Sequence, residues 1–252
     1  MGLVRRTWQP VPEMSYPERI VPDEESAGIV ALHLKRYVFS VPYCAGKVVL
    51  DAACGVGYGS AELARVAQRV VGVDVDEAAI AYARSRYGGD NIQFRTMDVS
   101  SLRLDDAAFD VVVSFETIEH LVGVEAFLRE VRRVLSPSGT FVVSTPNAPR
   151  TTNAPDNPHH RVEYSREDFA RLLWEHFGTV DLFGQRRLQT RRHRVLQRLD
   201  VLGLRRRLAF LRRAAPLVGT APTEGVELDG IVIEREGIER ASELVAVCTE
   251  PK

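Results

Sequence analysis

Residues 114–121 read SFETIEHL: two glutamates and a histidine fall within five positions at the end of an apolar run. If a helical turn begins there, spacings of three and four place Glu116, Glu119 and His120 on one face. Neighbouring carboxylates repel and resist dehydration, so the group needs a proton, a partner or a cation. A second stretch, NPHHRVEYSREDF at 157–169, sets His159 and His160 in a polar loop. One of these imidazoles closes a site of two carboxylates and two imidazoles if both segments rise from the same edge of a sheet. A cation held there would lower the pKa of a bound hydroxyl and orient its oxygen. Without a cation, His120 or His160 accepts the proton instead. The plainer alternative is a hydrogen-bonded Glu119–His120 pair that braces a pocket.

The elements that must position these groups alternate in type. From Lys47, KVVLDAACGVGYG is a β-branched run ending in an acid and a glycine cluster, and SAELARVA after it has helical character. The strand RVVGVDV, the helix DEAAIAYARSRY, the strands NIQFRTMDV and FDVVVSF, and the helix VEAFLREVRRVL follow. The strand TFVVSTPN and the helix YSREDFARLLWEHF come next, and TVDLFGQ and ELVAVCTE supply the last strands. Apolar strands separated by helices predict an α/β fold: a doubly wound, Rossmann-like sheet, mainly parallel with an antiparallel last strand. Ahead of it, EESAGIVALHLKRYVFS predicts a helix leading into the core. Such sheets bind ligands at their carboxyl edge, which is where SFETIEHL falls.

The glycine turn in LDAACGVGYG, between a strand and a helix, leaves backbone amides open to a ligand carboxylate or phosphate. Asp74, ending the next strand, is placed to accept hydrogen bonds from both hydroxyls of a ribose. The alternatives are that Gly55, Gly57 and Gly59 only shape a turn and that Asp74 caps the following helix. With these motifs in order, residues 30–185 resemble the class I S-adenosylmethionine-dependent methyltransferases. The resemblance counts the motif from Asp51 to Gly57 to the cofactor site and brings Gly55 and Gly57 to the methionine part of S-adenosylmethionine. It gives Asp74 the ribose, Asp98 the adenine amino group, and Val75 and Val99 the flanks of the ring. Capping of SSLRL is the structural alternative for Asp98.

More narrowly, ExxEH followed by a histidine ahead of YSRED resembles the metal-dependent 2′-O-methyltransferases that modify the 3′ ends of small RNAs. That match puts metal ligands at Glu116, Glu119, His120 and His160 and gives His159 none. Sugar O-methyltransferases of polysaccharide and glycoside biosynthesis are also similar, some with magnesium. Oxygen ligands suit Mg2+, whereas two imidazoles equally suit Mn2+ or another divalent ion. The expectation is methyl transfer to a hydroxyl of a carbohydrate or glycosylated small molecule, with Glu119, His120 and His160 catalytic. An RNA ribose 2′-O-methyltransferase is one alternative, and a cofactor-binding regulatory protein without catalysis is another.

At 252 residues and a net charge of -1, the chain fits one domain with an appendage. Residues 24–185 and 243–252 are expected to form the core. Residues 1–23, rich in proline and charge, either wander or fold back as a lid. Residues 186–242 are expected to be an arginine-rich, partly helical insertion. Its stretch 186–213 holds eleven arginines against one acid, Asp200. That pattern fits a solvated or subunit-facing insertion in a homo-oligomer, or contact with an anionic or lipid-linked substrate, a membrane surface or RNA. Near-neutral charge makes RNA the weaker partner. Three widely spaced cysteines fit a reducing, cytoplasmic setting, and no apolar run approaches the roughly 20 residues of a transmembrane helix.

Overall fold

A computed structural model describes residues 19–188 and 227–252. Eight strands form one sheet in the order β3-β2-β1-β4-β5-β8-β6-β7. β1 (Val48–Ala52), β2 (Arg69–Asp74), β3 (Ile92–Thr96), β4 (Phe109–Phe115) and β5 (Leu135–Pro146) are mutually parallel. β8 (Glu243–Pro251) inserts antiparallel between β5 and β6 (Phe177–Arg187), and β7 (Ile231–Glu234) pairs antiparallel with β6. The expected Rossmann-like sheet is present. Its antiparallel part is larger than one strand.

The helices follow their sequence signals. α1 (Ala27–Cys44) starts at Ser26, whose hydroxyl accepts from the Ile29 amide at 3.4 Å. α2 (Tyr58–Ala64) leaves the glycine turn, and α3 (Glu77–Tyr87) is capped by Asp76, which accepts from Ala78 and Ala79. α4 (Val124–Val134) and α5 (Arg166–His176) cover the other side of the sheet, and Ser165 caps α5 through the Asp168 amide. Strand residues buried in alternation feed two cores, one against α4 and α5 through Phe127, Phe141, Phe169 and Phe177, the other against α1, α2 and α3 through Tyr37, Leu63, Ile80 and Phe94. Burial of each such side chain stabilises by about 1.5–3 kcal/mol, enough to fix which strand ends meet.

Two expectations about boundaries change. Residues 231–234, placed inside the insertion, are an edge strand, and Arg186 and Arg187 belong to β6, where they pair with Val232 and Ile231. The reason is non-local: Leu228 and Ile231 pack against Ala31 and Leu32 of α1, a contact no local pattern announces. The rest of the arginine-rich stretch, residues 189–226, lies outside the described residues, as do residues 1–18 of the N-terminal arm. Among the described residues no helix is long and apolar enough to cross a membrane. Cys44, Cys54 and Cys248 are buried and free.

Candidate active site

The carboxyl ends of β1 to β5 and the segments that follow them hold the residues singled out above. At the end of β1 the chain turns through Ala53 (φ 64°), Gly55 (φ 57°) and Gly57 (φ 85°) into α2. Left-handed backbone favours glycine, so Gly55 and Gly57 have a conformational reason to be there. They differ in surroundings. A Cβ on Gly57 would meet Phe94 at 2.7 Å and Ala83 at 2.8 Å, whereas among the described residues a Cβ on Gly55 would meet only Arg19 Nη1, at 3.4 Å. Gly55 is therefore less crowded by described residues than Gly57, which faces packed core.

Asp51 is placed beneath this turn and not toward it. Its carboxylate is fully buried and accepts from Ser60 Oγ at 2.5 Å and Tyr37 Oη at 3.4 Å. Burial pushes its pKa up to about 7, opposed by those two hydrogen bonds and assisted by the charge of Asp74. A group so engaged supports the glycine turn from inside, so its part in the cofactor-binding motif is to hold that turn.

Asp74 accepts from the Gly55 amide at 2.9 Å and the Asp76 amide at 3.0 Å, so strand β2 presents its carboxylate beside the glycine turn. The helix cap is Asp76, not Asp74. Arg19 also donates to both Asp74 oxygens, at 3.1 and 3.0 Å. Val75 is 52% exposed, an open apolar surface next to that acid, while Val99 is buried. Asp98 is exposed, and its Oδ1 accepts from the Ser100 amide and hydroxyl at 2.8 and 2.7 Å, closing a turn rather than capping a helix.

At the end of β4 the ionisable groups separate. Glu116 has φ 51°, and its carboxylate accepts from Ser144 Oγ at 2.7 Å on β5. The helical turn begins only after it, as a 3-10 turn over Ile118–His120. The expected common face of all three side chains is therefore not formed. Glu119 is fully buried; Oε2 accepts from Thr145 Oγ1 at 3.1 Å, and Oε1 has no hydrogen-bond partner among the described residues. Burial, reinforced by the charge of Glu116, raises the Glu119 pKa well above the ordinary carboxylate value.

The loop after β5 is fastened to this point. The amides of Arg161 and Val162 donate to the Glu119 carbonyl at 2.7 and 3.2 Å. His120 Nδ1–H donates to the His159 carbonyl at 3.0 Å, which fixes the tautomer and turns Nε2 toward Glu119 Oε1, 4.0 Å away. His160 donates from Nδ1 to Glu163 at 2.9 Å and accepts the Asn157 amide on Nε2 at 3.0 Å. The rings of His120 and His160 are 4.9 Å apart and nearly perpendicular. One ligating atom from each of Glu119, His120 and His160 lies within 4.8 Å of the others. Three of the four residues expected to hold a metal thus converge, while Glu116 is held by Ser144. His159, expected to be no ligand, contributes its carbonyl.

One residue was missed in the sequence. Arg36 of α1 is 1% exposed, and its Nε and Nη2 have no hydrogen-bond partner among the described residues. It acts electrostatically on Tyr58 beside the glycine turn, on Glu119 and on Glu243. A buried guanidinium in that position calls for an anion. The signal was present: Leu32, Arg36 and Ser40 share one helical stripe, so the arginine sits on a face that the spacing directs inward.

Residues 50–143 match the family described as a methyltransferase domain. A probable S-adenosylmethionine-dependent methyltransferase of Mycolicibacterium smegmatis is 45% identical over 135 residues, covering 52% of this chain and 51% of the relative. A ubiquinone biosynthesis O-methyltransferase of Bradyrhizobium diazoefficiens is 35% identical over 115 residues, covering 45% of each. The chain thus spans about half the length of these curated relatives. Among solved structures, the YcgJ protein of Bacillus subtilis superposes with a TM-score of 0.57 at 16% identity, covering 87% of this chain and 99% of that one, a likeness of fold.

Proposed function

We propose that this chain, whose core is a methyltransferase domain of the class I, S-adenosylmethionine-dependent type, transfers a methyl group to a hydroxyl of a carbohydrate or glycosylated small molecule. The observation that carries the reading is the convergence of Glu119, His120 and His160 at the carboxyl edge, one strand from the glycine turn. The O-methyltransferase named among the relatives supports a hydroxyl acceptor. S-adenosylmethionine fits the residues present. Asp74 offers a carboxylate for the ribose, Gly55 has only a displaceable side chain before it among the described residues, Val75 offers an apolar flank, and the Arg36 guanidinium suits the methionine carboxylate.

His120 is the base in this reading. With Nδ1–H held by the His159 carbonyl, Nε2 keeps a lone pair and takes the acceptor proton as the oxygen attacks the methyl carbon. Glu119 Oε1, 4.0 Å from Nε2, borders the nitrogen that takes the proton. A divalent cation would fit in a second form of the site, in which His120 Nε2 is a ligand and not the base: Glu119 Oε1 is buried without a hydrogen bond among the described residues, and His160 would give up the Asn157 amide to join the donor set. One carboxylate and two imidazoles suit Mn2+, Fe2+ or Co2+ better than Mg2+. Such a cation would supply acidification of the acceptor hydroxyl. Glu119, His120 and His160 would hold it.

The test is methyl transfer from S-adenosylmethionine to fractionated glycans, glycosides and RNA with a free 3′ diol, read by mass gain before and after chelation and metal return. Transfer to sugar hydroxyls supports the proposal, and a requirement for added metal supports the cation. Transfer to RNA alone would replace the acceptor with a ribose 2′-hydroxyl. Cofactor binding without any transfer would favour a regulatory protein.

A further inference from the structure

We propose that Arg19 is a latch on the cofactor site: its guanidinium occupies the Asp74 carboxylate where a ribose diol would bind, and the entering cofactor displaces it. The inference rests on the reading of Asp74 as the ribose-binding acid. Nη1 donates to Oδ2 at 3.1 Å and Nη2 to Oδ1 at 3.0 Å. The Gly55 amide uses Oδ2 and the Asp76 amide uses Oδ1, so each oxygen already has two donors. A carboxylate has about four lone-pair sites, and none is left for a hydroxyl.

The same guanidinium covers the other half of the site. Among the described residues Gly55 has only Arg19 Nη1 before it, at 3.4 Å from where a Cβ would lie. One side chain thus closes both the glycine turn and the ribose acid, and the pair is largely withdrawn from water, with side chains 9% and 7% exposed. The chain is fastened two residues later. Val21 is buried with Val56 and Ala79, and its carbonyl accepts from the Glu24 and Glu25 amides. On this proposal Arg19 swings from the anchor at Val21. Asp76 Oδ2 lies 3.7 Å from Nη2, a second carboxylate on which the cation can settle once Asp74 is taken.

Because a latch lowers the fraction of binding-competent protein, removing it raises apparent affinity by the same factor. The full chain is titrated with S-adenosylhomocysteine by calorimetry and stopped-flow fluorescence, comparing wild type, Arg19→Ala and Val21→Ala. Arg19→Ala is expected to bind about tenfold more tightly, mostly through faster association, with a lower ligand-free Tm and a larger ligand-induced rise. Val21→Ala, which loosens the anchor and keeps the charge, moves the same quantities in the same direction by less. Unchanged or weaker binding by Arg19→Ala overturns the latch and makes Arg19 a bystander or a support of bound cofactor. If Arg19→Ala does not melt cooperatively, Val21→Ala decides by the same criterion. If neither wild type nor variants bind while all melt cooperatively, the ribose reading of Asp74 fails and the latch falls with it.

Discussion

The carboxyl ends of β2 and β4 lie in one sheet and treat buried carboxylates in opposite ways. At the end of β2, Asp74 meets two backbone amides and two guanidinium nitrogens, and nearby Asp51 is held by Ser60 and Tyr37. After β4, Glu119 leaves Oε1 without a hydrogen bond among the described residues, and Arg36 leaves Nε and Nη2 likewise. An unmet buried polar group is costly and persists where a ligand completes it. The carboxylates at the end of β2 are thus met by protein donors, and on the proposed reading a cofactor must exchange for Arg19. On the proposed reading Glu119 waits for a partner on the acceptor side and Arg36 for the carboxylate of the cofactor.

The comparison breaks most visibly at His120. His120→Ala is expected to lower kcat by about a hundredfold or more, the usual contribution of a general base. Affinity for S-adenosylhomocysteine should stay within about twofold, because the groups assigned to the donor lie on other strands. Steady-state kinetics and calorimetry on the same preparation check this. Equal losses in both would mean that the two halves do not divide donor from acceptor.

Asp74→Ala tests the end of β2. Against Arg19→Ala, which lacks the latch, the double variant should bind cofactor tenfold or more weakly, since charge-assisted hydrogen bonds are each worth about 1.5–3 kcal/mol. The affinity gained by Arg19→Ala should also vanish in the Asp74→Ala background, an interaction that a double-mutant cycle reads directly. Additive effects would separate Arg19 from Asp74.

What was legible in the sequence follows the range of the interactions involved. The strands, helices and glycine turn were written in local spacing, and the match over 50–143 and the sheet agree with that reading. β7 was hidden because Ile231 owes its place to α1, some two hundred residues earlier in the chain. The common face expected for Glu116, Glu119 and His120 assumed a helix from the end of β4, whereas the positive φ of Glu116 sends its side chain to Ser144 on β5. Arg19 reaches Asp74 across 55 residues, beyond any periodicity. Sequence located the edge where chemistry gathers; tertiary contacts decided which groups were already engaged.

A smaller effect concerns Asp51, whose pKa is raised to about 7, mainly by burial. An acid that holds its proton more tightly when folded contributes fully below its unfolded pKa and loses that contribution as pH rises to the folded value. The stability of wild type relative to Asp51→Asn should therefore fall between about pH 4 and pH 7 and level off above. Denaturant titrations across that range measure it. A flat difference would mean that Asp51 is ionised in the folded chain and that the turn above it is held by charge.

The smallest expected effect sharpens the acceptor half. His159 stands beside His160 in the sequence, yet its contribution to the site is a carbonyl that accepts from His120 Nδ1. The side chain is exposed, and its own amide is held by Asn157 Oδ1 at 3.0 Å, so the backbone stays in place when the imidazole is removed. His159→Ala should leave kcat within about twofold, as surface substitutions away from such features usually cost under 0.5 kcal/mol. His159→Pro, in contrast, removes the amide that Asn157 holds and should displace the carbonyl, freeing His120 to change tautomer and lowering kcat without altering cofactor affinity. Kinetics of the two variants side by side separate backbone from side chain. A large loss in His159→Ala would give this imidazole a direct part in the chemistry and shift the base from His120 toward its neighbour in the loop.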